Sequence, residues 1–214
     1  MNKIIKNGLQ DRKIGILDVI YPDKNEWNVD EFKKVIDKEL NEIKNINYDR
    51  DIIFRNNPYF RYFRKFKKSY PVMMQVESFL LKDRPFKEDN YINCIPFLSE
   101  LKNYVLLGSH DADRIIGDVI LFSDTEKTPF IGVGNRDVHS YPNDITAKDD
   151  KGIIFSMISG ADDRTCLHDD TKHVIYIIFG VPGISDDDII DVKNQLTSYI
   201  NVLAPNSKIN FNIY

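Results

Sequence analysis

Two short polar segments about fifty residues apart carry most of the chemistry this chain could do: Gly108-Ser-His-Asp-Ala-Asp-Arg-Ile-Ile-Gly-Asp118 and Gly160-Ala-Asp-Asp-Arg-Thr165. His110, Asp111 and Asp113 bring an imidazole and two carboxylates together. That set suits proton transfer or hydrogen bonding to a substrate. It equally suits a capped turn in which Arg114 pairs with an acid. In the second segment, Gly160 follows an apolar run, where a turn with positive φ favours glycine. Asp163, Arg164 and Thr165 then stand either in a tight ion-paired turn or at the rim of a pocket, where a guanidinium would meet a carboxylate or phosphate in bidentate fashion.

A third segment, Phe54 to Tyr70, interleaves six basic residues with seven aromatic ones. Its cations Arg61, Arg64, Lys65, Lys67 and Lys68 are candidates for contact with RNA, which single-stranded recognition achieves with charge and stacking rings. On a helix the same pattern would bury the rings and solvate the cations. His139, His168 and His173 are isolated. Cys94 and Cys166 are too few for a disulfide framework or a zinc site, and no other His or Cys grouping has ligand spacing, so neither metal nor cofactor is expected. The chain has no nucleophile elbow, no P-loop and no dinucleotide fingerprint.

These residues must be held by something. Lys13 to Ile20 reads as a strand ended by Tyr21-Pro22-Asp23, and Val29 to Lys44 as an amphipathic helix. Further helices are expected at about 58–67 and 72–82, and a short helix followed by a strand within 91–107. Short β-branched runs at Val119–Phe122, Phe130–Val133, Ile153–Ile158 and Val174–Phe179 read as strands. Ser185 opens a last helix, with three aspartates favouring its N-terminus, and Lys208 to Tyr214 alternates as a closing strand. The expectation is one α/β (α+β-like) domain over 1–214, a mixed sheet with helices packed on it.

At 214 residues, with 42% apolar and 29% charged residues, one well-buried core is affordable. A net charge of −4 speaks against a surface that grips nucleic acid everywhere, though not against one local basic face. Lys3, Lys6 and Arg12 interrupt any signal-like stretch, and no window approaches a membrane span. A cytoplasmic setting is expected.

The motifs also resemble a known family. Asp111-Ala-Asp-Arg-Ile-Ile-Gly-Asp-Val-Ile120 is similar to the D-x-D-[RK]-I-x-G core of the editing domain, modules three and four, of the bacterial phenylalanyl-tRNA synthetase beta chain. Lys148–Ile154, Gly160–Thr171 and Val174-Ile-Tyr-Ile177 resemble the passages that follow it there, and Tyr59–Pro85 resembles the N-terminal helices of free-standing members. The likeness covers about residues 50 to 200.

It implies a tRNA-linked protein hydrolysing mischarged aminoacyl-tRNA in trans, or a non-catalytic RNA- or amino-acid-binding module of the same fold. The implied partner is tRNA or aminoacyl-tRNA, or an amino-acid-like small ligand. The family's acidic residue falls on Asp163. Its histidine falls on Gly108, whereas this chain carries His110. Under the resemblance His110 and Asp163 are the catalytic candidates. Asn103, Asp111, Asp113, Gly160, Arg164 and Thr165 would bind substrate.

Overall fold

The computed structural model describes residues 3–9, 12–88, 90–123 and 125–214. In chain order the strands and helices are β1 (Ile4–Asn7), β2 (Lys13–Ile20), α1 (Val29–Lys44), α2 (Arg50–Phe54), α3 (Pro58–Lys65), α4 (Pro71–Leu81), α5 (Tyr91–Asn103), β3 (Leu107–Asp111), β4 (Val119–Ser123), β5 (Pro129–Gly132), β6 (Arg136–His139), β7 (Ile145–Asp149), β8 (Gly152–Ser156), β9 (Gly160–Ala161), β10 (His173–Gly180), α6 (Asp186–Leu203) and β11 (Lys208–Ile213).

The expected mixed α/β architecture is present, with its strands shared between two main sheets. One is ordered β1-β4-β7-β8-β9 and the other β11-β2-β10-β3, while β5 and β6 form a separate hairpin. The first sheet is mixed, because β1 runs parallel to β4 and the rest are antiparallel. Strand β10 is the spine of the second sheet. Its Val174–Phe179 run is buried throughout, as a strand covered on both faces should be.

Helices α5 and α6 pack on one face of that second sheet, and α1 packs on both of them. Alternation along the strands divides their residues between the two sides. Gly15 faces α6 closely enough that a Cβ there would lie 2.6 Å from Ile189 Cγ2. Its neighbours Ile14 and Ile16 point the other way, toward the first sheet. Helix α6 begins with the expected Ser185, whose side chain and that of Asp188 form a capping box, satisfying two of the donors a helix start leaves free.

Helix α5 runs as one piece through Pro96 instead of stopping for a strand. A proline there removes the hydrogen bond to the Ile92 carbonyl. The Tyr176 hydroxyl of β10 supplies the missing donor at 3.1 Å, and is itself bonded to the Tyr21 hydroxyl at 2.7 Å. Tertiary packing thus restores the hydrogen bond that the proline removes.

Candidate functional site

Both polar segments are crossovers between the two sheets. Asp111–Asp118 carries the chain from β3 to β4, and Asp162–Lys172 carries it back from β9 to β10. They meet side by side, with Asp111 N–H donating to the Thr165 carbonyl at 2.8 Å. Gly160 adopts φ +93°, the conformation expected for it.

The acidic and basic side chains of the crossovers spend themselves largely on each other. Arg164 donates to Asp149 at 2.9 Å and to the Arg114 carbonyl at 2.5 Å, and lies 3.6 Å from Asp162. Asp149, whose side chain is fully buried, also accepts from the N–H of Ile116 and of Lys151. Asp111 accepts from Thr171 at 2.7 Å and from the Asp113 N–H at 3.0 Å, with Arg114 at 3.5 Å. Asp113 is exposed and bonds His173. Arg164, expected to meet a ligand, is therefore first a clamp on two aspartates.

His110 is 1% exposed, with its ring against Phe155. Strand β3 points it between the sheets. Its Nδ1 lies 2.7 Å from the Thr165 hydroxyl, which donates to Asp162. A hydroxyl has one proton, so Nδ1 is the donor and Nε2 the bare nitrogen. Burial, helped by the Arg164 charge, pushes this imidazole down to about 4; it is neutral at pH 7. Burial also raises the Asp162 carboxyl, against the hydrogen bonds it accepts from Thr165. His110 is thus walled off from solvent, and the expected direct proton delivery to a substrate is replaced by a buried His110–Thr165–Asp162 chain.

Asn103 does not join this cluster. Tyr104 takes a left-handed conformation (φ 56°) and ends α5, so Asn103 closes that helix. Its amide bonds Ser99 and Gln195, against α6.

An open cleft does form beside the crossovers. The β5–β6 hairpin docks on the second one, through Val133 N–H to the Ala161 carbonyl and Asp163 N–H to the Ile131 carbonyl. Between hairpin and β8 lies a cavity of about 390 Å³, lined by Phe130, Ile131, Ile153, Lys151, Asp163 and Arg164 among others. That size, with an apolar wall facing the charged side chains of Lys151, Asp162, Asp163 and Arg164, fits a small polar ligand. The sequence reading named Asp163 and Arg164 but missed Lys151 and the hairpin wall; the basic residue after the Asp149-Asp150 turn was the available signal. Asp163 is held in place because both hydrogen bonds it accepts among the described residues, from Gly134 and Asn135 N–H, end on Oδ1.

The basic-aromatic segment divides as a helix should. Phe54, Tyr59, Tyr62, Phe63 and Tyr70 are buried, and Arg61, Arg64, Lys65, Lys67 and Lys68 are all exposed. Among the described residues no cluster of three or more His, Cys, Asp or Glu could hold a metal ion, and no helix is long and apolar enough to cross a membrane.

Fold and cleft together define a mixed α/β domain whose two sheets are joined by an ion-paired double crossover. Part of the chain is related in sequence to the phenylalanine–tRNA ligase beta subunit. It is 33% identical to that of Mycoplasma genitalium over 67 residues (31% of this chain, 8% of the relative). With that of Mycoplasmoides gallisepticum it is 34% identical over 89 residues (36% and 11%). The chain therefore spans about a tenth of the length of the curated relatives it matches. An N-terminal fragment of the phenylalanyl-tRNA synthetase beta subunit from Pyrococcus horikoshii aligns over 97% of this chain and 50% of its own, at 10% identity and a TM-score of 0.48. No protein-family model matches.

Proposed function

We propose that the protein is a tRNA-linked recognition module whose cleft receives the aminoacyl end of a charged tRNA. The observation that carries this reading is the cleft's lining: a fixed carboxylate at Asp163, the cation of Lys151 and an apolar wall of Phe130, Ile131 and Ile153 around 390 Å³. An α-amino group would meet Asp163, a side chain would enter the apolar wall, and the ribose–phosphate end would face Lys151. The relatives named above connect the chain to tRNA.

The test is equilibrium binding of amide-linked aminoacyl-adenosine probes, which cannot hydrolyse. Tighter binding than adenosine alone, weakened at least about tenfold in Asp163→Ala, is the expected result (about 1.4 kcal/mol). Equal affinity for aminoacylated and free adenosine would remove the reading.

A second reading, hydrolysis of mischarged aminoacyl-tRNA, is favoured by one feature. Oδ1 of Asp163 is anchored by backbone N–H groups, so Oδ2 could hold a water against an ester. Buried His110 has no part in that step. Release of amino acid from a panel of mischarged tRNAs, abolished in Asp163→Ala and retained in His110→Gln, would establish it over simple recognition.

A further inference from the structure

The base of the hairpin gathers cations from two distant parts of the chain. Thr128 and Ser140 close it by reciprocal hydrogen bonds of 2.9 and 3.0 Å, which sets Lys127 beside Tyr141. The Tyr141 ring lies edge-on to Phe66 of the α3 terminus at 5.9 Å and to His139 at 4.6 Å. Lys68 Nζ stands 5.4 Å and Lys127 Nζ 5.6 Å from the centre of that same ring.

Cations at the end of α3 have an ordinary explanation, since they complement the helix dipole. That explanation does not reach Lys127, which comes from the hairpin and converges on the same tyrosine. Asp144, three residues after Tyr141, is buried and already bonded to Tyr62, Ser156, Ile145 and Ile158. Exposed Glu126 flanks Lys127, so the surface is locally rather than broadly basic. It also adjoins the cleft: Pro129, which lines the cavity, is two residues from Lys127, within about 8 Å along the backbone.

We propose that Lys68, Lys127 and Tyr141 form an approach surface for the sugar–phosphate chain of a single-stranded RNA, whose end then reaches the cleft. The direction of approach rests on reading the cleft as an aminoacyl site; the surface itself does not. Lysines supply phosphate contacts, and as they swing to phosphate they leave the face of the half-exposed Tyr141 ring to a base, the combination single-stranded nucleic acid uses. An acidic peptide would use the lysines without the ring.

The test is fluorescence anisotropy with a labelled eight-nucleotide RNA bearing no aminoacyl group, over a salt series. Wild type should bind with affinity falling as salt rises, with a log–log slope of about −2 if some three phosphates are contacted. Lys68→Glu with Lys127→Glu should lose at least about tenfold and flatten the slope. The milder Lys68→Gln with Lys127→Gln should lose less, with an unchanged thermal midpoint. Tyr141→Ala should lose about tenfold while Tyr141→Phe binds normally. Lys208→Glu, on exposed β11, should bind as wild type.

No RNA binding by wild type, or double variants equal to it, overturns the proposal. So does equal loss in Lys208→Glu, which would make the effect one of overall charge. Equal competition by a polyglutamate peptide, with Tyr141→Ala unaffected, would assign the surface to acidic peptides instead. Because this RNA carries no aminoacyl group, its binding tests the surface alone, and failure of the cleft reading, tested with the aminoacyl-adenosine probes, is separable from failure of this one.

Discussion

The double crossover and the hairpin cleft adjoin each other and share Asp163 and Arg164, yet they use polar residues in opposite ways. In the crossover, Asp111, Asp149, Asp162, Thr165 and His110 are buried and tied to protein partners. In the cleft, Lys151 is exposed and Asp163 presents one oxygen. The polar cluster that looks most like an active site in sequence is therefore a frame, and the side chains free to meet a ligand sit at its edge. A buried charge must be paired to be tolerated; a charge still available to a ligand is found where water also reaches.

The largest effect should come from breaking the frame. Asp149→Ala would leave the Arg164 guanidinium with Asp162 as its one carboxylate among the described residues and the N–H groups of Ile116 and Lys151 without that acceptor. The expected loss is about 3–5 kcal/mol, read as a drop of roughly 10 °C in thermal midpoint for a chain of this size. A loss near zero would mean the network is incidental and the crossover is as free as the cleft.

Protonation should separate the two regions next. The folded His110 imidazole sits at about 4, below its ordinary value of about 6.5. The unfolded chain therefore takes the proton first as pH falls. The stability this contributes is complete above about 6.5 and is lost between there and 4, approaching roughly 3 kcal/mol. Glu100, pushed up to about 8 by burial, and Asp144, pushed up to about 6, act with the opposite sign, since the fold holds their protons. Urea unfolding of wild type and His110→Gln at several pH values isolates the histidine: their difference should shrink as pH drops from 7 to 4.5. A constant difference would place the ring in contact with water.

Much of the fold is legible because periodicity survives in long, well-covered elements. Strands β2 and β10 and helices α1 and α6 were expected nearly where they stand. The rest depends on partners the sequence does not display. Strand β1 carries Lys6 and exists by pairing with β4. Helix α5 crosses Pro96 because Tyr176 completes its hydrogen bonding. The site was legible as two polar segments, since Gly and Asp mark the crossovers whatever their purpose. Which of them face solvent was not. Strand alternation allows Ser109 or His110 to point inward, and only the packing of the first sheet selects His110. The resemblance drew Asn103 into the site, while the left-handed turn at Tyr104 sends it to α6.

Asp163 lies on the boundary, and the smallest effect decides its side. Its Oδ1 accepts from Gly134 N at 2.8 Å and Asn135 N at 3.2 Å. Both donors have positive φ (78° and 55°) in the loop joining β5 to β6, a conformation Asn tolerates better than most residues. Asp163→Ala removes that cap from a solvent-facing loop, where water can replace the lost acceptor. The cost to stability should be only about 1 kcal/mol, with hydrogen exchange accelerated at Gly134 and Asn135 and unchanged in β10. Asp163→Asn, which keeps an acceptor oxygen, should cost less still while losing the charge offered to an amino group. A cost approaching that of Asp149→Ala would move Asp163 into the buried frame, and the cleft would then lose the fixed carboxylate on which recognition of an aminoacyl group depends.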